Sequence, residues 1–247
     1  MKKPSLTIIV PAYNEEGNLE GAIHCIDEAV SGLLEDYEII IFNDFSKDHT
    51  GEIANRLKQR DPHIKVVHNP RNMGFGYNYT EGVRLAEKEY VILVPGDNEI
   101  PSAAIKKILN YTGTADIVVP YTANPWVRPL SRRLVSRAFV LLVNILFGLR
   151  LRYYNGTCVH KSSLIKNIPM KTHGFAYMAS ILVRLIKSGA NYMEVDVDIQ
   201  ERTSGKTNAF SIKNIASVIK TLIDLFVEVR VRERARYNSR PIRIETV

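Results

Sequence analysis

Short apolar runs alternate with longer amphipathic stretches through the first half of the chain. Leu6–Val10, Tyr37–Phe42, Ile64–His68 and Val91–Val94 are rich in Ile and Val and have the length of strands buried on both faces. Between them, apolar residues recur at helical spacing from Asn18 to about Leu34, from the capping Ser46–Asp48 to Arg60, and from the polar loop 69–76 to about Lys88. A helix over 102–110 and a strand over Asp116–Pro120 continue the alternation. Such a succession with short connections predicts an α/β fold, a mostly parallel sheet with helices on both faces. The opening Met1–Val10 is expected to be a strand and not a signal peptide. Its apolar run is short, ends at Pro11, Tyr13 and Asn14, and has no small-residue cleavage site.

From residue 128 the pattern changes. Leu134–Leu149 is apolar around nearly its whole circumference and is bracketed by arginines, and Ile212–Val229 is a second apolar-rich helix that runs into an arginine tail. Neither reaches the roughly 20 apolar residues that span a bilayer, so both are expected as buried or interfacial helices. The expected organisation is one α/β domain over 1–210, containing 128–152 as a membrane-interface element. An amphipathic helix and Arg-rich tail over 211–247 complete it.

Composition adds one decisive feature. The 247 residues are 45% apolar and 24% charged, which is ordinary, but the net charge of +7 is clustered. Arg128, Arg132, Arg133, Arg137, Arg150 and Arg152 lie in a stretch without a single acid. Such clusters suit phosphorylated substrates, nucleic acid or an acidic membrane face. Here they adjoin Leu/Ile/Val-rich helices and lack interleaved aromatic platforms, which favours an anionic membrane over nucleic acid. A peripheral location on the cytoplasmic face of a membrane is therefore expected, with an integral-membrane partner or a homo-oligomer both compatible. Cys25 and Cys158 fit no metal or redox spacing and read as reduced thiols of a cytosolic protein. No pair of histidines has metal spacing; His173 alone, beside Gly174, is placed in a loop expected to face an acceptor.

The candidate chemistry sits where the strands end. Val91–Val94 stops at Pro95–Gly96, and Asp97 and Glu99 follow, just outside the carboxyl end of a strand, where open α/β sheets bind ligands. Two hard oxygen donors on one short loop suit Mg²⁺ or Mn²⁺, with substrate phosphates filling further positions. The first strand ends in Pro11-Ala12-Tyr13-Asn14-Glu15-Glu16 and the second in Asn43-Asp44-Phe45-Ser46. The third is followed by NPRNMGFG, in which Gly74 and Gly76 permit close backbone approach to a ligand. Parallel strands bring these clusters to one cleft, suited to a nucleoside diphosphate with base and ribose at the first two and diphosphate on the metal.

The order VPAYNEEGNL, IFNDFSKDHT, NPRNMGFGYNYTEG, VPGDNEIP resembles the family 2 glycosyltransferases of the GT-A fold. Within that family it is most similar to the polyprenol-phosphate (dolichol-phosphate) sugar transferases, through RRLVSR at 132–137 ahead of an apolar helix. Arg202…Gly205-Lys206-Thr207, near the R-x-x-G-K-S phosphate-gripping segment, adds to that likeness. The resemblance implies that Pro11, Tyr13 and Glu15 contact the nucleotide of a nucleotide-sugar donor, and that Asp44 holds its base or ribose. It makes Asp97 the principal metal ligand of a D-x-D motif, with Glu99 beside it. Arg132, Ser136, Arg202 and Lys206 would bind the acceptor phosphate of a polyprenyl or dolichyl phosphate, or the donor diphosphate.

The chain departs from the pattern in three places. The D-x-D motif reads Pro95-Gly96-Asp97, the paired aspartates read Asn43-Asp44, and Met178 and Ser180 replace a Gln and a Glu. Relatives that act on hydroxyls commonly carry a Glu-Asp pair and a Q-x-x-R-W motif, and this chain has neither. Leu164–Leu185 contains no acid. A phosphate monoester is already anionic and needs no general base, so a lipid-phosphate acceptor is the expectation. The alternatives are transfer to a sugar or lipid hydroxyl in polysaccharide or glycolipid synthesis, and a catalytically weak nucleotide-sugar-binding relative.

Overall fold

The computed structural model describes residues 3–34, 36–172, 174–200 and 212–245. Its elements begin β1 (Leu6–Ala12), α1 (Leu19–Val30), β2 (Tyr37–Asn43), α2 (Thr50–Arg60), β3 (Ile64–His68), α3 (Phe75–Leu85), β4 (Tyr90–Leu93), α4 (Ser102–Leu109) and β5 (Ile117–Thr122). They continue α5 (Leu130–Phe147), β6 (Val159–Lys161), α6 (Ser162–Ile165), α7 (Tyr177–Lys187), β7 (Asn191–Val197), α8 (Ile212–Val227) and β8 (Ile242–Arg243). The described strands form one sheet in the order β3-β2-β1-β4-β6-β5-β7-β8. Only β6 runs against its neighbours, antiparallel to both β4 and β5.

Burial explains the sequence pattern. Every residue of β1 is buried, and β4 likewise, because helices cover both faces. On one face Ile23, Ile53 and Ile105 of α1, α2 and α4 pack with Ile8, Ile39, Ile41 and Ile92. On the other, Tyr79, Phe147, Leu182 and Leu225 of α3, α5, α7 and α8 pack with Ile9, Ile40, Phe42 and Val91. Each such side chain contributes about 1.5–3 kcal/mol of burial, so both faces are needed to hold the sheet.

The antiparallel strand decides what reaches the ligand edge. Ile92 pairs with Val159 and Tyr90 with Lys161, so β6 starts where β4 ends. The segment 148–158 that leads into β6 therefore arrives at the carboxyl edge of the parallel strands. Because β6 is antiparallel to both its neighbours, β5 runs parallel to β4 and ends at that same edge.

The two apolar helices are surface elements with one stripe in the core. α5 begins at Leu130 and ends at Phe147, two residues short of the expected Leu149, because Gly148 takes a left-handed conformation (φ 63°). It buries Val143 and Phe147 but exposes Leu134, Leu141, Leu142 and Ile145. α8 buries Leu222 and Leu225 and exposes Ile215, Ile219 and Ile223, one every helical turn. Phe147 and Phe226, 6.3 Å between ring centres, join the two helices. Among the described residues no helix is long and apolar enough to cross a membrane.

The arginine tail differs from expectation. Arg230 donates twice to the Leu146 carbonyl at 3.1 Å, Arg236 donates to that of Asn167 at 3.0 Å, and Arg243 pairs with the buried Glu194 at 3.4 Å. These three arginines fasten the tail to the core, where the sequence pattern offered them to an anionic surface. A π-helical turn, Glu228–Arg232, follows α8 and buries Glu228. Its carboxylate accepts from Arg184 Nε at 2.9 Å and Nη2 at 3.0 Å and from Lys171 at 2.8 Å. Burial pushes this carboxyl up, but the hydrogen bonds from Arg184 and Lys171 outweigh it and hold it down to about 2.

Candidate active site

β2, β1 and β4 are adjacent, so the loops that follow them meet. The Asp44 N–H donates to the Ala12 carbonyl at 2.9 Å and the Gly96 N–H to that of Pro11 at 3.0 Å. Each of the three loops carries one non-glycine residue with positive φ: Asn14 (55°), Phe45 (66°) and Asn98 (56°). Asparagine tolerates this conformation, whereas at Phe45 it costs about 1–2 kcal/mol. Strain of this kind persists only where surrounding contacts impose it, and it concentrates at ligand sites.

The imposing contacts are visible between the first two loops. Asn14 N–H donates to Ser46 Oγ at 3.0 Å, Lys47 N–H to Asn14 Oδ1 at 2.8 Å, and Glu15 N–H to Thr50 Oγ1 at 2.8 Å. His49 N–H donates to Glu16 Oε2 at 3.0 Å. Tyr13 and Phe45 are left exposed on this laced pair of loops, with Lys47 Nζ 3.6 Å from the centre of the Phe45 ring. Two rings and a cation at a cleft mouth are suited to stacking on a nucleobase. Pro11 and Ala12 lie within β1, both buried, and the Glu15 carboxylate accepts from Asn18 Nδ2 at 2.7 Å.

Asp44 is buried, and its carboxylate organises the loop after β3. Oδ1 accepts from Asn69 Nδ2 at 2.7 Å and from the Met73 N–H at 2.8 Å, and Oδ2 accepts from the Gly74 N–H at 2.8 Å. Gly74, at φ 83°, supplies the left-handed turn that aims these two N–H groups at one carboxylate. Asn69 Nδ2 also donates to Asn78 Oδ1 at 2.7 Å, which carries the tie into α3. Any direct contact with a base or ribose uses the acceptor capacity that remains on this carboxylate. Asn43, the residue in place of a second aspartate, hydrogen-bonds His68 Nδ1 at 3.0 Å.

Asp97 and Glu99 are both half-buried on the loop after β4, and the Glu99 N–H donates to Asp97 Oδ1 at 3.2 Å. Asn98 between them holds the loop. Its side chain lies against α1, where a Cβ on Gly21 would come within 2.7 Å of Nδ2, and its Oδ1 is 3.4 Å from Cys25 Sγ. With Asn98 turned onto α1, the carboxylates on either side belong to one tight turn at the sheet edge. Among the described residues no three His, Cys, Asp or Glu side chains gather to hold a metal by themselves. Two carboxylates on a pinned turn fit Mg²⁺ or Mn²⁺ of the kind that takes one or two protein oxygens and completes its six positions from diphosphate and water.

The acceptor-side residues are partly in view. Arg132 and Ser136 are half-buried, one turn apart on α5. Arg202, Lys206 and His173 lie outside the described residues. A cavity of about 710 Å³ between α7 and α8 contains Arg184 and Glu228, but none of its described lining residues comes from the strand-end loops. Its central guanidinium is committed to Glu228 and Ser180. Sequence reasoning missed Asn98, Asn69 and Asn78; an Asx between two acids, or beginning a Gly-rich loop, is the only signal they give.

This fold and edge define a GT-A glycosyltransferase domain. The Glycosyl transferase family 2 profile matches residues 7–167, and the chain belongs to that family. An uncharacterized glycosyltransferase, EpsJ of Bacillus subtilis, is 37% identical over 42% of this chain and 29% of its own length. Undecaprenyl-phosphate mannosyltransferase of Micrococcus luteus is 26% identical over 81% of this chain and 85% of its own. The chain thus spans under a third of EpsJ but most of the mannosyltransferase. Glucosyl-3-phosphoglycerate synthase of Mycobacterium tuberculosis, solved with Mn²⁺, UDP-glucose and phosphoglyceric acid, superimposes with a TM-score of 0.69. The match covers 90% of this chain and 80% of that one at 17% identity, and it establishes the fold.

Proposed function

We propose that this protein moves a sugar from a nucleoside-diphosphate sugar to a polyprenyl phosphate, with inversion at the anomeric carbon, at the surface of an anionic membrane. What supports the reading is topology: β4 and β5 end at one sheet edge, the carboxylate turn follows the first and α5 the second. A carboxylate turn, Asp97–Glu99, lies beyond β4, and α5, which follows β5, bears Arg132 and Ser136 ahead of an exposed apolar stripe. A donor site beside an amphipathic, arginine-bearing helix suits an acceptor that is part phosphate and part lipid. The likeness to an undecaprenyl-phosphate mannosyltransferase over most of both chains supports the same acceptor class.

In this mechanism Tyr13 and Phe45 flank the base, and the loop tied down by Asp44 presents its backbone to the sugar nucleotide. Asp97 and Glu99 hold the divalent cation, which when bound offsets the charge of the leaving diphosphate. Arg132 and Ser136 orient the lipid phosphate, and Arg202 and Lys206 grip the diphosphate or the acceptor. A phosphate oxygen attacks the anomeric carbon as the bond from that carbon to the nucleoside diphosphate breaks. The electron pair leaves on the diphosphate, and a glycosyl phosphodiester forms. No proton is removed from the nucleophile, consistent with the lack of an acid in 164–185.

The test supplies UDP-, GDP- and CDP-sugars with Mn²⁺ or Mg²⁺ to the protein on liposomes that contain either a polyprenyl phosphate or the corresponding alcohol. Glycosylated lipid is expected from the phosphate alone. Efficient transfer to the alcohol, or to a soluble sugar, would move the protein to the hydroxyl-acceptor class.

A further inference from the structure

The sheet order lays out the donor. The loops suited to base and ribose follow β2 and β1, and the carboxylate turn suited to metal and diphosphate follows the next strand, β4. A sugar nucleotide is a linear succession of base, ribose, diphosphate and sugar, so its sugar falls on the far flank of β4. The strand on that flank is β6, whose Val159 lies opposite Ile92. Adjacent strands are about 5 Å apart, so the segment leading into β6 stands one such spacing from the strand that carries Asp97.

That segment is held from three directions. The Tyr154 ring is buried, edge-on to Phe139 at 6.3 Å between ring centres, and its hydroxyl donates to Asn144 Oδ1 at 2.7 Å. The Tyr153 hydroxyl accepts from Arg128 Nη1 at 3.0 Å. Gly156 packs on β5, where a Cβ would come within 2.7 Å of the Pro120 carbonyl oxygen, so glycine alone lets the backbone approach this closely. The Cys158 N–H donates back to the Gly156 carbonyl at 3.0 Å and closes the turn into β6. Asn155 and Thr157, on either side of Gly156, take no part in this anchoring. Asn155 is exposed and Thr157 half-buried, and among the described residues neither side chain has a hydrogen-bond partner. A fixed backbone thus presents two unengaged polar side chains at the ligand edge, beside the metal turn.

We infer that Asn155 and Thr157 bind hydroxyls of the transferred sugar and set which epimer is accepted. The inference rests on the donor half of the reading above and deepens it. An amide offers two donors and an acceptor oxygen, and a hydroxyl offers both roles, which matches the hydroxyls of a hexose. Neither side chain is charged, so neither adds a charge-assisted hold on the diphosphate, and their effect is confined to the sugar. Because the backbone is already pinned, little ordering cost is left for the ligand to meet. An epimer that moves a hydroxyl away leaves these groups unpaired, and that difference is the discrimination.

The experiment is calorimetric titration of the intact protein, with Mn²⁺ present. The probes are UDP-glucose and its epimer UDP-galactose, GDP-mannose and its epimer GDP-glucose, and UDP and GDP alone. The parent is expected to favour one epimer of a pair. Asn155→Ala and Thr157→Val should each weaken that sugar nucleotide about three- to tenfold, the share of one neutral hydrogen bond, and leave its nucleoside diphosphate unchanged. The ratio between epimers should fall toward one in the double variant, whereas Thr157→Ser, which keeps the hydroxyl, should bind like the parent. Denaturant midpoints of the variants are compared with that of the parent, so a folding defect is seen as such. Equal weakening of sugar nucleotide and nucleoside diphosphate, undiminished epimer preference in the folded double variant, or a parent blind to both epimer pairs overturns the assignment and leaves the donor reading standing. A parent that binds none of the six probes overturns both. Binding with the expected dependence but no transfer to a polyprenyl phosphate would refute the acceptor reading and leave the assignment standing.

Discussion

Replacing Asp44 by Asn separates two accounts of the residue after β2. If it serves only to meet the nucleotide, the substitution lowers donor affinity and leaves stability alone. The structure gives it three donors, Asn69 Nδ2 and the N–H groups of Met73 and Gly74, all within 2.8 Å of one buried carboxylate. An amide of the same shape has one acceptor oxygen, and its NH₂ must face either the Gly74 N–H or the pair on the other oxygen. One or two donors are then opposed by a donor. Hydrogen bonds to a charged group contribute about 1.5–3 kcal/mol each, and a stranded buried donor costs about 1–3 kcal/mol. Met73 and Gly74 are only half-buried, and water recovers part of the loss, so about 2 kcal/mol is expected. For a chain of this size that is a fall in melting temperature of roughly 4–8 °C. Donor affinity should fall as well, because the loop through Gly74 loses its anchor. Guanidinium denaturation of the ligand-free protein reads the first effect without the second. A variant within about 0.5 kcal/mol of the parent would show that the carboxylate does not hold the loop.

Asp97→Ala should remove nearly all sugar transfer and Glu99→Ala should weaken its dependence on divalent cation; full activity of Asp97→Ala, or of the parent in EDTA, would sink the metal assignment. Flotation with anionic liposomes at low salt should carry the protein upward, and Ile145→Asp together with Ile219→Asp should reduce the floated fraction severalfold, since both side chains are over half exposed; retention of the parent in the soluble fraction removes the membrane reading. Acid should destabilise the fold. Burial lowers the His160 imidazole from 6.5 to about 3, so as pH falls below 6.5 the unfolded chain takes up a proton that the folded one refuses. At pH 4.5 this costs about 3 kcal/mol at 1.36 kcal/mol per unit. Glu228, held at about 2, adds to the loss as pH falls below its ordinary 4.5. Denaturant midpoints that stay level from pH 7 to 4.5 would contradict the burial of His160.

The parallel half of the fold was legible because its cause is local. Ile/Val runs of strand length, punctuated by Pro, Gly and Asn, report burial on both faces whatever the rest of the chain does. The strands β6 and β8 were not, for the same reason. Val159–Lys161 is three residues long and Ile242–Arg243 two, and each exists because a neighbouring strand offers a ladder, which no local pattern records. The tail illustrates the same limit in charge. Arg230, Arg236 and Arg243 read as a basic cluster, yet each meets a carbonyl or a carboxylate far away in sequence.

At the site, the acidic residues were legible and the means of holding them were not. Asp97 and Glu99 announce themselves as acids after a strand, but two acids on a surface turn repel, and a turn free to open would separate them. What keeps them together is Asn98, left-handed and laid on α1 at a glycine 77 positions earlier in the chain. A side chain at Gly21 would reach within 2.7 Å of the Asn98 amide, so that glycine, although it lies in a helix, helps to hold the turn that carries the two acids. Likewise Phe45 is kept in an unfavourable backbone conformation by a loop laced to the one after β1. Such long-range locks cost conformational strain, which local propensity counts as an error. That the three non-glycine residues of positive φ, the strained Phe45 among them, fall on the three loops that meet at the sheet edge is therefore independent support for treating that edge as the candidate site.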